Sequence, residues 1–249
     1  MSLLKYIVFF SLLLLIITSC KDKKKSSEVK AIIASEQVKI QAELDSLSEL
    51  RKLDSIKKNL ENTYPKLTQD NVVEFLTEYG NNNPESKVKI STTEGDIEIL
   101  LHKDTPLHRA NFIYLVKQKY FDNTFFYRVV KDFIIQAGNS DNVDTQRKRA
   151  KIGGDYLIPS EVKNGKIHKY GTLSGAKQYR KNPNKLSYPF EFFIFVGPIK
   201  KTSHLNGEYT VFGKVTKGMD VAVKISELPA DKGEWPLANV YILSATVID

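Results

Sequence analysis

A single cysteine, Cys20, stands in this 249-residue chain, so no intramolecular disulfide can form and no cysteine-rich metal site can be built. The four histidines, His102, His108, His168 and His204, have no spacing that resembles a zinc site, which leaves surface or turn positions as their expected places and no metal expected. No internal repeat is visible. The apolar run from Tyr6 to Ile17 is shorter than the about 20 residues that a bilayer-spanning helix needs. Lysine and arginine outnumber acidic residues 37 to 29, a formal charge of +8, but much of the excess sits in two short runs, Lys21 to Lys25 and Arg147 to Lys151. Without a basic face bearing stacking aromatics, or a recognisable nucleic-acid module, no nucleic-acid partner is expected.

What is present begins at the amino terminus. Lys5, the apolar run and then Thr18-Ser19-Cys20 follow the order of a charged n-region, an h-region and a small-residue cleavage site, which predicts a signal peptide over residues 1–19. Ile17-Thr18-Ser19-Cys20 also resembles the lipobox of bacterial lipoproteins. That resemblance implies cleavage before Cys20, lipid modification of Cys20, and attachment to a membrane of the cell envelope, periplasm-facing by default. Several acyl chains are the kind of anchor that holds a protein stably at a bilayer.

Residues 20–28 read as a polar tether, and residues 29–84 as a helical stalk and linker. In the stalk, Leu44, Leu47, Leu50, Leu53, Ile56 and Leu60 recur every three or four residues, which predicts an amphipathic helix. A short second helix is expected from Asn71 to Tyr79, capped by Asp70 and ended by Gly80. After Pro84 the period changes to two. Val88, Ile90 and Thr92, a Glu94-Gly95 turn, then Ile97, Ile99 and Leu101 predict a β-hairpin. Pro106 opens a helix with Thr105 or Asp104 as its cap. Strand-like runs follow at 125–130, 133–137, 172–176, 192–196, 210–215 and 240–248, with a second helix at 221–227. Many short strands with two helices argue for a closed antiparallel barrel over residues 85–249.

One residue disturbs the apolar strand at 125–130. Arg128 carries a guanidinium that is expensive to bury without a partner, so it is a surface residue, an ion-paired residue or a functional one. A two-residue period puts Ile134 and Gln136 on one face, and Glu191 and Phe193 on one face. If these faces meet, an apolar pocket with polar rims results, although any single aromatic, Phe133, Phe193 or Phe212, is by itself more simply core.

The run Phe126-Tyr127-Arg128-Val129-Val130-Lys131-Asp132-Phe133-Ile134-Ile135-Gln136-Ala137-Gly138 resembles the signature of the cyclophilins. Phe190-Glu191-Phe192-Phe193-Ile194 resembles the family's second aromatic strand, and Leu205-Asn206-Gly207-Glu208-Tyr209-Thr210-Val211-Phe212-Gly213-Lys214-Val215 its third motif. The likeness extends from about Lys87 to Asp249. It implies an eight-stranded antiparallel β-barrel capped by two helices, and peptidyl-prolyl cis/trans isomerase activity without a cofactor. Proline-containing polypeptides of the envelope are the implied clients.

By the same resemblance Arg128 and Gln136 are the catalytic pair. Phe133, Ile134, Phe193 and Leu205 hold the proline ring with Tyr209 at its edge, while the backbone at Ala176 and Lys177 grips the substrate chain and Glu191 completes the binding set. Three positions depart from the family's commonest residues: Tyr127 replaces a His, Glu191 a Gln, and His204 a Trp or Phe. Glu191 in particular is expected to compete for the donors of Arg128, and His204 to weaken the drug affinity for which the family is known. Two rival readings remain. A barrel that binds proline segments with little turnover, as a chaperone or assembly module, fits the same residues. Ser174-Gly175-Ala176-Lys177 and Ser140-Asp141-Asn142 match motifs of penicillin-binding enzymes and Lys201-Thr202-Ser203 approximates their Lys-Thr-Gly, but the first two come in the wrong order and the last lacks its Gly.

Overall fold

The computed structural model describes residues 23–61, 64–178 and 180–249. The expected signal peptide and Cys20 lie outside the described residues. The chain divides into two units between Tyr64 and Pro65.

The first unit contains helix α1, Lys23–Glu61. It begins within the segment read as a tether, in keeping with the good helix propensity of Lys and Glu. Leu44, Leu47, Leu50 and Leu53 are exposed. Their three-residue spacing explains why they form no single stripe. Each step of three falls about 60° short of a full turn, so successive leucines wind around the helix. No helix among the described residues is long and apolar enough to cross a membrane.

The second unit runs from Pro65 to Asp249 and begins with α2, Val72–Asn82. The sequence pattern predicts this helix as part of the stalk, ended by Gly80; the structure places it with the barrel and carries it past the glycine. Tyr79 packs edge-on against Tyr114 of α3, Pro106–Lys117, at a centroid distance of 5.1 Å. The buried Arg109 supplies the rest. Its guanidinium donates to the carbonyls of Gly80 at 2.9 Å, Asn83 at 2.9 Å and Glu85 at 3.1 Å, meeting acceptors left open at the end of α2.

Eight antiparallel strands then close into a barrel: β1 Lys87–Thr92, β2 Gly95–Leu101, β3 Phe125–Val130, β4 Ile134–Asn139, β5 Thr172–Gly175, β6 Phe192–Phe195, β7 Val211–Lys217 and β8 Val240–Val247. Around the barrel their order is β1-β2-β7-β5-β6-β4-β3-β8, with β8 returning to β1. The expected hairpin is present, Val88 opposite Ile99 and Ile90 opposite Ile97, with all four buried. Helix α3 packs on β7 and β8, and a later helix, Met219–Ser226, packs on β2, β3 and β4. Thr105 occupies the N-cap position of α3, as expected, but its side chain makes no capping hydrogen bond. Glu161, remote in sequence, accepts the backbone N–H groups of Leu107 and His108, each at 3.0 Å.

A helix that the sequence reading did not contain, α4, spans Val143–Ile152; the helix at Met219–Ser226 is therefore α5. Asn142 caps α4 by accepting from the Asp144 N–H. Its residues are mostly polar, so no apolar period announces it.

The core is divided by the pleat. Phe126, Ile135, Ala137, Phe192, Ile194 and Phe212 belong to the main interior cluster. Ile134, Phe193, Phe195 and Leu205 form a separate cluster with Phe133 and Tyr209 packed on it. Successive residues of β4 and β6 thus serve two cores on opposite faces of one sheet.

Candidate active site

The second cluster floors a slot of about 340 Å³. Phe193 is its base, edge-on to Tyr209 at 5.6 Å, and Ile134 and Leu205 flank it. Phe133 and His204 close one side, 5.5 Å apart. Arg128, Gln136, Ala176 and Lys177 complete the lining. Nine of the ten side chains or segments expected from the sequence are therefore brought together; Glu191 is not among them.

The polar edge of the slot depends on a bulge. Phe126 pairs with Ala137 and faces the interior; strict alternation would send Arg128 inward as well. The register shifts between them, so Tyr127 is an extra residue in β3, and Arg128 pairs with Gln136 on the outer face. Gly138 makes a corresponding irregularity in β4 at φ 103°, where a Cβ would lie 2.0 Å from the Phe190 carbonyl oxygen.

Arg128 is held by a residue the sequence reading did not single out. Its Nε donates to Glu234 Oε2 at 2.5 Å. Among the described residues its terminal nitrogens have no hydrogen-bond partner, and Arg128 lines the slot. The pairing expected between Glu191 and Arg128 is absent. β6 begins only at Phe192, so Glu191 precedes the strand and escapes its alternation. It accepts a 2.8 Å hydrogen bond from the Tyr127 hydroxyl and lies 3.8 Å from Arg149 Nη2. Gln136 Nε2 in turn donates to the Tyr127 hydroxyl. Burial first, and then the Glu191 carboxylate, push the Tyr127 phenol far above its ordinary value, so it stays protonated.

The backbone of Ala176 is also engaged differently from the expectation. Its N–H donates to the Glu191 carbonyl at 3.3 Å and its carbonyl accepts from Tyr188 N–H at 2.7 Å, so its N–H is not available to a ligand. Lys177 adds a second cation, its Nζ 4.7 Å from the Tyr209 ring centroid and 3.5 Å from Glu208 Oε2.

Two of the histidines expected at surface or turn positions are buried. His108 bridges Glu161, at 2.6 Å, and Ser187, at 2.9 Å, beneath the start of α3. His168 stacks under Phe193 with an interplanar angle of 5° and a centroid distance of 5.8 Å. Asn206 Oδ1 already accepts the His168 backbone N–H, so it takes the Nδ1 proton too, at 3.0 Å; Nε2 is left to accept from the Ser174 hydroxyl, also at 3.0 Å. Burial holds its pKa below the usual imidazole value, only partly offset by Asn206.

A closed antiparallel barrel with an apolar slot on its outer face, and a fixed cation at the slot's edge, defines a class of small-apolar-group binders. Similarity to known proteins narrows the class. Residues 87–247 match the family described as cyclophilin type peptidyl-prolyl cis-trans isomerase/CLD. Peptidyl-prolyl cis-trans isomerase-like 1 of Neurospora crassa is 35% identical over 163 residues, covering 65% of this chain and 93% of that protein. A peptidyl-prolyl cis-trans isomerase of Acinetobacter baylyi is 34% identical over 143 residues, 57% of this chain and 72% of the relative. The crystal structure of a Cryptosporidium parvum cyclophilin-type isomerase superposes with a TM-score of 0.56 at 28% identity, covering 66% of this chain and 98% of that one. The chain belongs to the cyclophilin-type peptidyl-prolyl cis/trans isomerase family, and its barrel is an isomerase domain of that kind.

Proposed function

We propose that this isomerase turns over X-Pro bonds of envelope proteins, with Arg128 as the donor that stabilises the rotating bond. The observation that carries this reading is the position of Arg128: opposite Gln136, at the rim of the Phe193 slot, with its terminal nitrogens unpaired among the described residues.

Rotation about an X-Pro bond breaks amide resonance against a barrier of about 18–20 kcal/mol. As the bond twists, the prolyl nitrogen regains its lone pair, and a donor aimed there binds the transition state better than either ground state. One charge-assisted hydrogen bond contributes about 1.5–3 kcal/mol, whereas a millionfold acceleration needs about 8 kcal/mol. The slot supplies the rest by holding the ring on Phe193, Ile134 and Leu205, between Phe133 and Tyr209, while the substrate chain is left to rotate. Gln136 orients the carbonyl before the proline. With Ala176 N–H engaged internally, Lys177 is the remaining backbone grip. A protease-coupled or exchange-NMR assay of wild type and Arg128→Ala tests this. Loss of at least about tenfold in kcat, with peptide affinity retained, is expected; equal and negligible rates with intact binding would make the protein a proline-segment binder instead.

Clients in the envelope follow from the lipobox-like Cys20, which would tether the domain to a membrane and face it towards unfolded exported chains. Labelled-palmitate incorporation that is lost in Cys20→Ala supports the anchor. Unchanged membrane attachment of that variant refutes it.

A further inference from the structure

We infer that Glu234 is a positioning residue for the isomerase reaction, fixing the plane of the Arg128 guanidinium so that its outer, terminal-nitrogen edge is presented at the slot. The inference rests on the reading of Arg128 as the donor to the prolyl nitrogen.

Glu234 lies on the connection from α5 to β8, and this connection is built rather than loose. Ala230 and Pro236 form an isolated antiparallel bridge, and inside it Asp231 Oδ1 accepts the N–H groups of Gly233, at 2.7 Å, and Trp235, at 3.0 Å. The tip is fastened to the strand that carries Arg128. Val129 N–H donates to the Glu234 carbonyl at 2.8 Å, continuing along β3 after its pairing with β8 has stopped at Phe126 opposite Val240. Trp235 packs on the same strand, 5.4 Å from Phe125 and 6.0 Å from Tyr127. The turn therefore touches β3 on both sides of Arg128.

At the tip Glu234 itself takes φ 66°, a left-handed conformation that a residue with a Cβ adopts reluctantly and glycine adopts readily. A non-glycine residue there puts its side chain at a place chosen against local backbone preference. That side chain reaches Arg128 Nε.

The guanidinium is planar, with its five donors in a rigid fork. Capturing Nε sets the plane and leaves the outer edge between the two terminal nitrogens open for the slot that Arg128 lines. The two side chains are 35% and 43% exposed, so water screens the pair and its contribution to stability is small. Orientation is what such a contact does effectively. Holding the donor in place before the substrate arrives removes the search that a free arginine would make in every catalytic cycle.

Glycine at this position separates orientation from folding, because it suits the backbone while removing the carboxylate. Glu234→Gly is expected to melt at or above the wild-type temperature, to bind a proline peptide with unchanged Kd, and to lose about tenfold in kcat with KM little changed. Glu234→Gln keeps an acceptor without charge and is expected to stay within about threefold of wild type. The Arg128 Nε–H resonance should be sharp and slow to exchange in wild type and Glu234→Gln, and should broaden in Glu234→Gly. Wild-type kcat in Glu234→Gly, or a fall in Glu234→Gln as deep as in Glu234→Gly, overturns the inference. Arg128→Ala in the same assay keeps the two ideas apart: if it is slow while Glu234→Gly is not, only the role of Glu234 fails, whereas an active Arg128→Ala removes the reading beneath it.

Discussion

Tyr127 and Glu191 are joined by a 2.8 Å hydrogen bond in which the phenol donates to the carboxylate. These are two of the three positions where the sequence resemblance implies a departure from the family pattern, and in the structure the two side chains complement each other. With its only proton spent on Glu191, the Tyr127 oxygen must accept from Gln136 Nε2, which settles which way the Gln136 amide is turned. Replacing Tyr127 with Phe should destabilise the domain by about 1 kcal/mol and lower kcat several-fold by freeing that amide. A double-mutant cycle with Glu191→Gln should show a coupling of about 0.5 kcal/mol or more in denaturant unfolding; additive effects would mean the two residues act separately.

Gly138 permits the irregularity in β4 that faces the bulge of β3. At φ 103°, with Phe190 oxygen 2.0 Å from where a Cβ would stand, neither the conformation nor the space suits alanine. Gly138→Ala is expected to cost about 3 kcal/mol or more, at the upper end of single substitutions. Chemical denaturation measures it.

Phe193 is buried between His168 and Tyr209 and floors the slot. Truncation to Ala should destabilise by about 3–5 kcal/mol and raise KM for proline peptides. The milder Phe193→Leu should keep the fold and still raise KM, which steady-state kinetics on both variants will read.

His168 makes stability depend on pH with a definite sign. Its folded pKa lies below the ordinary 6.5 because of burial, so the unfolded chain takes up its proton first. The contribution of the neutral imidazole is complete above that ordinary value and is lost as pH falls below it towards the lowered native pKa. The slope from this one proton is at most about 1.4 kcal/mol per pH unit. His102 is shifted the same way by burial and adds to the trend. Unfolding free energies from pH 8 to pH 5 should therefore fall on the acid side, and His168→Gln should flatten that fall by one proton's share.

Much of this architecture was legible from residue order. Alternation in Val88 to Thr92 and Ile97 to Leu101 marked the first hairpin, and apolar runs marked the other strands within a few residues. Helix α4 was missed because Asp, Gln, Arg and Lys hide its period, although Asn142 at its start and Arg149 and Lys151 in its last turn are helix-end signals in plain view. The site was legible through motifs, except where a pairing partner was remote. Nothing local links Arg128 to Glu234, 106 positions away, or His168 to the underside of Phe193.

The amino-acid order by itself determined the kind of barrel and the residue types gathered at its slot, because alternating apolarity can be satisfied only by a sheet with a buried face. Tertiary structure alone decided which face each functional residue took. One extra residue at Tyr127 reverses the direction of Arg128, Glu191 falls outside the alternation that was expected to carry it, and Glu234 meets the guanidinium only because a distant turn docks on β3. Side-chain direction in a strand changes with every single-residue shift of register, and register is fixed by pairing with strands that the local sequence does not contain.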